Sequence, residues 1–92
     1  MKVSISHPDD HARVDSTFET EANVSTGKKI TKVEFYVDGN IHDTKTDANG
    51  PYKFNYSTGN GKHTIKVKAY NDAGKDAEKE IKVSVGEDWH DN

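Results

Sequence analysis

Residues 32–41 read Lys-Val-Glu-Phe-Tyr-Val-Asp-Gly-Asn-Ile, and this stretch decides the fold. Val33, Phe35 and Val37 alternate with charged or polar neighbours, which is the period of two of a half-buried strand. Asp38-Gly39 follows, and both residues tolerate the positive φ angles that a two-residue hairpin turn requires. The stretch therefore predicts a β-hairpin whose first strand buries one face.

The same alternation recurs along the rest of the chain, and turn residues separate the segments. Further alternating segments lie at residues 2–6, 17–24, 52–56, 63–70 and 81–85, and Val14 is expected to return to the core between the first two. Residues 41–46, the return strand of the hairpin, are polar and are expected to form an edge strand. No stretch of useful length has the period of a helix. About seven short strands with frequent turn signals predict an all-β fold, an antiparallel β-sandwich. The domain is expected to span residues 1–86, and residues 87–92, which include Trp89, are expected to form an acidic tail or linker.

Composition excludes several classes of protein. The 92 residues fit one domain, and their hydrophobic fraction of 30% lies in alternating runs, which argues against disorder. The formal charge is −3 with acids and lysines mixed, so no basic block indicates nucleic-acid binding. No apolar run approaches the roughly 20 residues of a membrane helix. There is no cysteine, which removes disulfides and thiolate sites. A cleavable leader is not evident, so an exported protein would carry this chain as a piece of a longer one.

Three motifs carry a resemblance to a known family. Residues 33–39 (VEFYVDG), residues 50–54 (GPYKF) and residues 61–74 (GKHTIKVKAYNDAG) resemble, in the same order, motifs of bacterial immunoglobulin-like domains. The resemblance spans residues 3–85. Asn71 departs from it, because many members have Asp there, but both side chains suit a turn.

The resemblance implies an immunoglobulin-like sandwich that is a non-catalytic accessory module of a larger bacterial surface or secreted protein. Its expected partners are neighbouring domains of the parent chain, with cell-wall polysaccharide or a surface protein as further candidates. It implies an extracellular or cell-surface location and a monomer in isolation. No cofactor and no universal ligand site come with the family.

One face of the predicted sheet is a candidate partner-binding surface. Tyr36 and Tyr70 have the opposite parity to the core residues of their strands, so both are expected to face outward on neighbouring strands. The candidate surface comprises Glu34, Tyr36, Lys66, Lys68 and Tyr70. Exposed aromatic rings stack on sugars or anchor partners, which favours a carbohydrate- or cell-wall-binding module as the alternative function. The competing interpretation is a cross-strand pair that only stabilises the sheet.

Neither a metal site nor a catalytic site is predicted. The five histidines are scattered, and His63, at the start of a core strand, is expected to hydrogen-bond a nearby turn. The aspartates lack the spacing of a calcium loop, although a calcium-stiffened adhesin repeat remains an alternative. These aspartates are Asp9, Asp10, Asp15, Asp72, Asp76 and Asp88. No glycine-flanked nucleophile is present, so no catalytic residue is predicted.

Overall fold

The computed structural model describes residues 1–46 and 50–86, and these residues form eight β-strands in two sheets. The predicted tail, with Trp89 and Asp88, lies outside the described residues. The strands are β1 (Lys2–His7), β2 (Ala12–Val14), β3 (Thr17–Ser25), β4 (Ile30–Val37), β5 (Asn40–Lys45), β6 (Tyr52–Ser57), β7 (Gly61–Asn71) and β8 (Asp76–Val85). The described residues contain no helix that is long and apolar enough to cross a membrane.

The two sheets pack face to face as an immunoglobulin-like sandwich, which confirms the predicted fold class. One sheet has the order β1-β3-β6 and the other the order β2-β8-β7-β4-β5. Every pair of neighbours is antiparallel except β2 and β8, which are parallel. The sequence analysis does not predict this one parallel pair, because the three residues of β2 have no clear alternation.

Backbone and side-chain hydrogen bonds hold β2 beside β8. The Lys82 amide donates to Asp10 Oδ1 at 2.8 Å, and the His11 amide donates to the Lys82 carbonyl at 2.6 Å. His11 takes a φ of 65° to make this connection. The predicted return of Val14 to the core is therefore a paired strand, and Val14 packs partly buried against the core.

The hairpin predicted from residues 32–41 is present. Val33, Phe35 and Val37 are buried. Asp38 and Gly39 have φ angles of 53° and 85°, as a tight turn with two left-handed residues requires. The return strand β5 is exposed along almost its whole length and forms the edge of its sheet. This confirms the prediction of a polar edge strand.

The chain enters and leaves the sandwich at opposite ends. Lys2 pairs with Ser25 at one end, which we call the entry end. Val85 pairs with Gly61 at the other, which we call the exit end. The eleven residues of β7 run between these ends, a span of about 33 Å at the usual rise of a strand.

Candidate functional site

The five residues predicted as a partner-binding surface lie together on the outer face of β4 and β7. The register places Tyr36 opposite Lys66 and Glu34 opposite Lys68. Tyr70 is opposite Lys32, a sixth member that the sequence analysis did not include. We call these six residues the tyrosine face. Because β4 and β7 are direct neighbours in one sheet, these side chains form one continuous surface.

Glu34 is the centre of the tyrosine face and is only 8% exposed. The Tyr36 hydroxyl donates to Glu34 Oε1 at 2.9 Å, and Lys32 Nζ lies 3.6 Å from Glu34 Oε2. Burial alone would raise the pKa of Glu34. Hydrogen bonds from Tyr70 and Tyr36 and the charge of Lys32 outweigh burial and hold the pKa of Glu34 below its usual value. The same hydrogen bond to Glu34, with burial, raises the pKa of Tyr36. The carboxylate is therefore ionised and bonded within the sheet.

Lysine side chains lie over both tyrosine rings. Lys66 Nζ is 4.8 Å from the centre of the Tyr36 ring. Lys32 Nζ and Lys68 Nζ are 4.6 and 5.2 Å from the centre of the Tyr70 ring. Both tyrosines are half-buried, so the prediction of exposed aromatic rings needs correction. The stems of the lysines cover ring surface that solvent would otherwise reach.

The tyrosine face continues onto β8 as ion pairs. Lys66 Nζ lies 3.6 Å from Glu78 Oε2, and Lys68 Nζ lies 3.9 Å from Asp76 Oδ2. Cross-strand pairs of this kind stabilise a sheet by a few tenths of a kcal/mol to about 1 kcal/mol each. Tyr36 and Tyr70 are not a cross-strand pair with each other, since each lies opposite a lysine, but their contacts with those lysines stabilise the sheet.

A second polar cluster joins two loops at the exit end. His63 Nδ1 lies 2.7 Å from Asp38 Oδ2, and His63 Nε2 lies 3.1 Å from the Gly59 carbonyl. Asp38 Oδ1 also accepts the Thr64 amide at 2.9 Å. The prediction that His63 hydrogen-bonds a nearby turn is confirmed, although its partner Asp38 belongs to the β4–β5 turn rather than to the adjacent loop alone.

The geometry around His63 favours its charged form. Both ring nitrogens face oxygen acceptors, and only an imidazolium donates from both nitrogens at once. Burial alone would lower the pKa of His63, but the bonds to Asp38 and Gly59 raise it. Burial would likewise raise the pKa of Asp38, yet the bonds from His63 and the Thr64 amide lower it. The cluster therefore ties the hairpin turn to β7 with an ion pair and to the β6–β7 loop with the hydrogen bond from His63 to Gly59.

The outer face of the three-stranded sheet brings together His7, Glu19 and Glu21, which the sequence analysis did not single out. His7 Nε2 lies 3.3 Å from Glu19 Oε1 and 4.0 Å from Glu21 Oε2. In the described part of the chain, this is the only group of three or more such side chains with ligand atoms within 4.8 Å of one another. The aspartates considered for calcium form no such group there, and Asp88 lies outside that part.

Comparison with known families identifies the sandwich. The sequence profile described as bacterial Ig domain matches residues 2–67, which is more than half of the chain. The chain belongs to the bacterial Ig domain family. The remaining part of β7 and all of β8 complete the five-stranded sheet of this bacterial Ig domain. No curated protein matches its sequence.

Solved structures share the fold of this bacterial Ig domain. It is similar to a structure of the Clostridium thermocellum CbhA fibronectin(III)-like modules, with 27% identity, a TM-score of 0.76, and coverage of 91% of this chain and 96% of that one. It is also similar to a Jonesia denitrificans lytic polysaccharide monooxygenase, at 21% identity and a TM-score of 0.65, and covers 61% of that chain. An endo-beta-1,4-mannanase from Thermotoga petrophila matches at 20% identity and a TM-score of 0.72, with 19% of that chain covered.

The last two similarities concern the fold alone, and the domain spans less than two thirds of each of those chains. A shared fold does not by itself assign a function to this domain. The described residues enclose no pocket.

Proposed function

We propose that this bacterial Ig domain is a non-catalytic accessory module that spaces and presents the neighbouring domains of a larger exported bacterial protein. Three observations support the proposal: membership of the bacterial Ig domain family, the similarity over almost its full length to a structure of fibronectin(III)-like modules, and the course of the chain through the sandwich. In this proposal the partners are covalently attached domains, and the location is the cell surface or the surrounding medium.

The observation that carries the proposal is the placement of the first and last strands. Lys2 and Val85 lie at opposite ends of a body about 33 Å long. Domains attached at the two ends are therefore kept apart by a folded element. A flexible linker of equal residue number has no fixed length, because its end-to-end distance fluctuates like that of a random coil.

The tyrosine face bears on the alternative of carbohydrate binding. Sugar stacking needs an accessible ring surface, and the rings of Tyr36 and Tyr70 lie under the ammonium groups of Lys66, Lys32 and Lys68. Displacing those lysines would break ion pairs within the sheet. We therefore favour the spacer role over carbohydrate binding through this face, which would be at most a weak polar contact.

Domain replacement in the full-length protein tests the spacer role. One variant replaces residues 1–86 with an unrelated sandwich of equal length whose ends are also opposite, and a second variant uses a Gly/Ser linker of equal residue number. We expect the unrelated sandwich to preserve the parent protein's activity on its surface-bound target and the flexible linker to reduce it. Loss of activity with the unrelated sandwich would show that specific contacts of this domain are required.

A pull-down with cell-wall polysaccharide tests the tyrosine face in the isolated domain. The variant carries Tyr36→Ser and Tyr70→Ser, and the control carries Lys53→Ser and Asn55→Ser on the outer face of the other sheet. Circular dichroism checks folding. We expect weak retention that is equal for wild type and both variants. A loss confined to the tyrosine variant would make this face a binding site and would support the alternative function.

A further inference from the structure

We propose that His7, Glu19 and Glu21 form a site for a divalent transition metal, with Zn²⁺ as the best-fitting ion, on the outer face of the three-stranded sheet. The site would link β1 to β3. It is independent of the spacer role, which depends on the placement of Lys2 and Val85 at opposite ends, and it shares no residue with the tyrosine face.

The strand register brings the three side chains to the same face. Glu19 and Glu21 alternate along β3 with the buried residues Phe18, Thr20 and Ala22, so both carboxylates point outward. His7 pairs with Glu21 across the β1–β3 ladder.

A bulge in β1 is responsible for the position of His7. Ile5 pairs with Ala22, so a regular ladder would place Ser6 opposite Glu21 and His7 on the inner face, with Ile5. The register shifts between Ile5 and His7, and His7 pairs with Glu21 instead. Bulges commonly re-aim a side chain in this way. The imidazole is thereby transferred from the core side to the carboxylates.

Distances and donor types suit zinc. Zinc is bound by imidazole nitrogen and carboxylate oxygen at about 2.0–2.2 Å, so ligand atoms around a tetrahedral ion are about 3.3 Å apart. His7 Nε2 and Glu19 Oε1 have this separation already, at 3.3 Å. Glu21 Oε2 lies 4.0 Å from Nε2, and all three ligand atoms lie within 4.8 Å of one another, so rotation of the glutamate side chains must shorten these separations by at most about 1.5 Å.

The charge of the site also suits a divalent ion. Two carboxylates and a neutral imidazole balance the charge of Zn²⁺. The nearest cationic residue by strand pairing is Lys53, which lies opposite Glu21 on β6. Calcium does not fit, because it requires six to eight oxygen ligands and an imidazole supplies none. Three protein ligands leave a coordination position for water, as in open zinc sites.

Titration of the domain with zinc chloride tests the proposal, with the melting temperature and isothermal titration calorimetry as readouts. Since an ion bound only to the native state stabilises by mass action, the melting temperature should rise with zinc concentration and the stoichiometry should be one. Variants H7N and E21Q should weaken zinc binding at least about tenfold. The matched control is H11N, because His11 Nδ1 lies 3.5 Å from the carboxylate of Asp10, outside the proposed site.

Three results with zinc would overturn the proposal: no rise in melting temperature at millimolar zinc, zinc binding retained in H7N, or an equal loss of binding in H11N, which would indicate diffuse binding to surface histidines. An equal rise with calcium chloride would replace the transition-metal site with an oxygen site and would also overturn it. Nuclear magnetic resonance tests the site without relying on the folding of the variants. In the wild-type domain, zinc should shift the amide signals of residues 7, 19 and 21 more than those of residues 10 and 11.

Discussion

The hydroxyl of Thr20 is the most informative single group in the core, because replacing Thr20 with Val should stabilise the domain. Thr20 is fully buried, and its Oγ1 has no hydrogen-bond partner among the described residues. Thr20 pairs with Phe54 of β6 on one side of β3. On the other side, the ladder between β1 and β3 ends at Glu21, so Thr20 has no paired residue there. A buried hydroxyl without a partner costs about 1–3 kcal/mol in desolvation, and a methyl group in its place fills nearly the same space. We expect Thr20→Val to raise the free energy of unfolding by about that amount.

Urea denaturation, followed by circular dichroism, measures this change in the free energy of unfolding. The midpoint should rise while the slope m stays constant, and the melting temperature should rise by at least about 4 °C for a domain of this size. The control is Thr17→Val on the same strand, because the exposed Thr17 Oγ1 has a partner in Ser57 Oγ at 2.8 Å. That change should be neutral or cost up to about 1 kcal/mol. If Thr20→Val lowers stability, the Thr20 hydroxyl is hydrogen-bonded in solution and the reasoning fails.

Three further predictions concern the hairpin and the exit end. Phe35→Ala removes a 1%-exposed ring that stacks on a neighbouring phenylalanine. It should lower the free energy of unfolding in urea by about 3–5 kcal/mol, well above the loss for Tyr36→Ala. Equal losses would mean that the buried and outer faces of β4 are reversed. Gly39→Val should lower the free energy of unfolding by about 1–3 kcal/mol. The φ of 85° is the cause, since no atom lies within 4 Å of the added Cβ. Gly27→Ala is the control and should be nearly neutral, because that position is equally open and has no positive φ. Folding raises the pKa of His63, so its contribution to stability is complete below the ordinary value of 6.5 and is lost as pH rises through the raised value. Urea midpoints measured from about pH 6 to about pH 9 should therefore fall in the wild type and fall less in His63→Gln; parallel profiles would exclude the ion pair as the cause.

The parts of the fold that the sequence predicts are those with local physical causes. Alternation fixes which side of β4 is buried, and the Asp38-Gly39 pair fixes the turn, because each depends on neighbouring residues only. The hydrogen bond of His63 to a turn was predictable from its place at the start of a core strand, where related sandwiches have such a contact. Its ion pair with Asp38, 25 residues away, was not, since that contact depends on how β4 and β7 align.

Departures from regular pairing account for most of what the sequence does not predict. Parity along β1 places His7 with the core residues, and a single bulge reverses that placement, so the grouping with two glutamates has no sequence signal. The strand β2 has only three residues, too few for a period to be recognised. On the tyrosine face, parity correctly placed Tyr36 and Tyr70, but the lysines over their rings follow from side-chain conformations that a pattern of residue types does not contain.

The parallel pairing of β2 with β8 has a mechanical consequence. Tension applied through Lys2 and Val85 acts along the strands, because the chain enters and leaves at opposite ends. Such tension tends to slide β2 past β8 in shear, and the bonds along Ala12–Val14 then carry the load together. In a hairpin pulled at its open end, by contrast, the bonds break one after another. A strand of three residues thus resists stretching along the long axis, which is the direction in which tethered neighbours would pull.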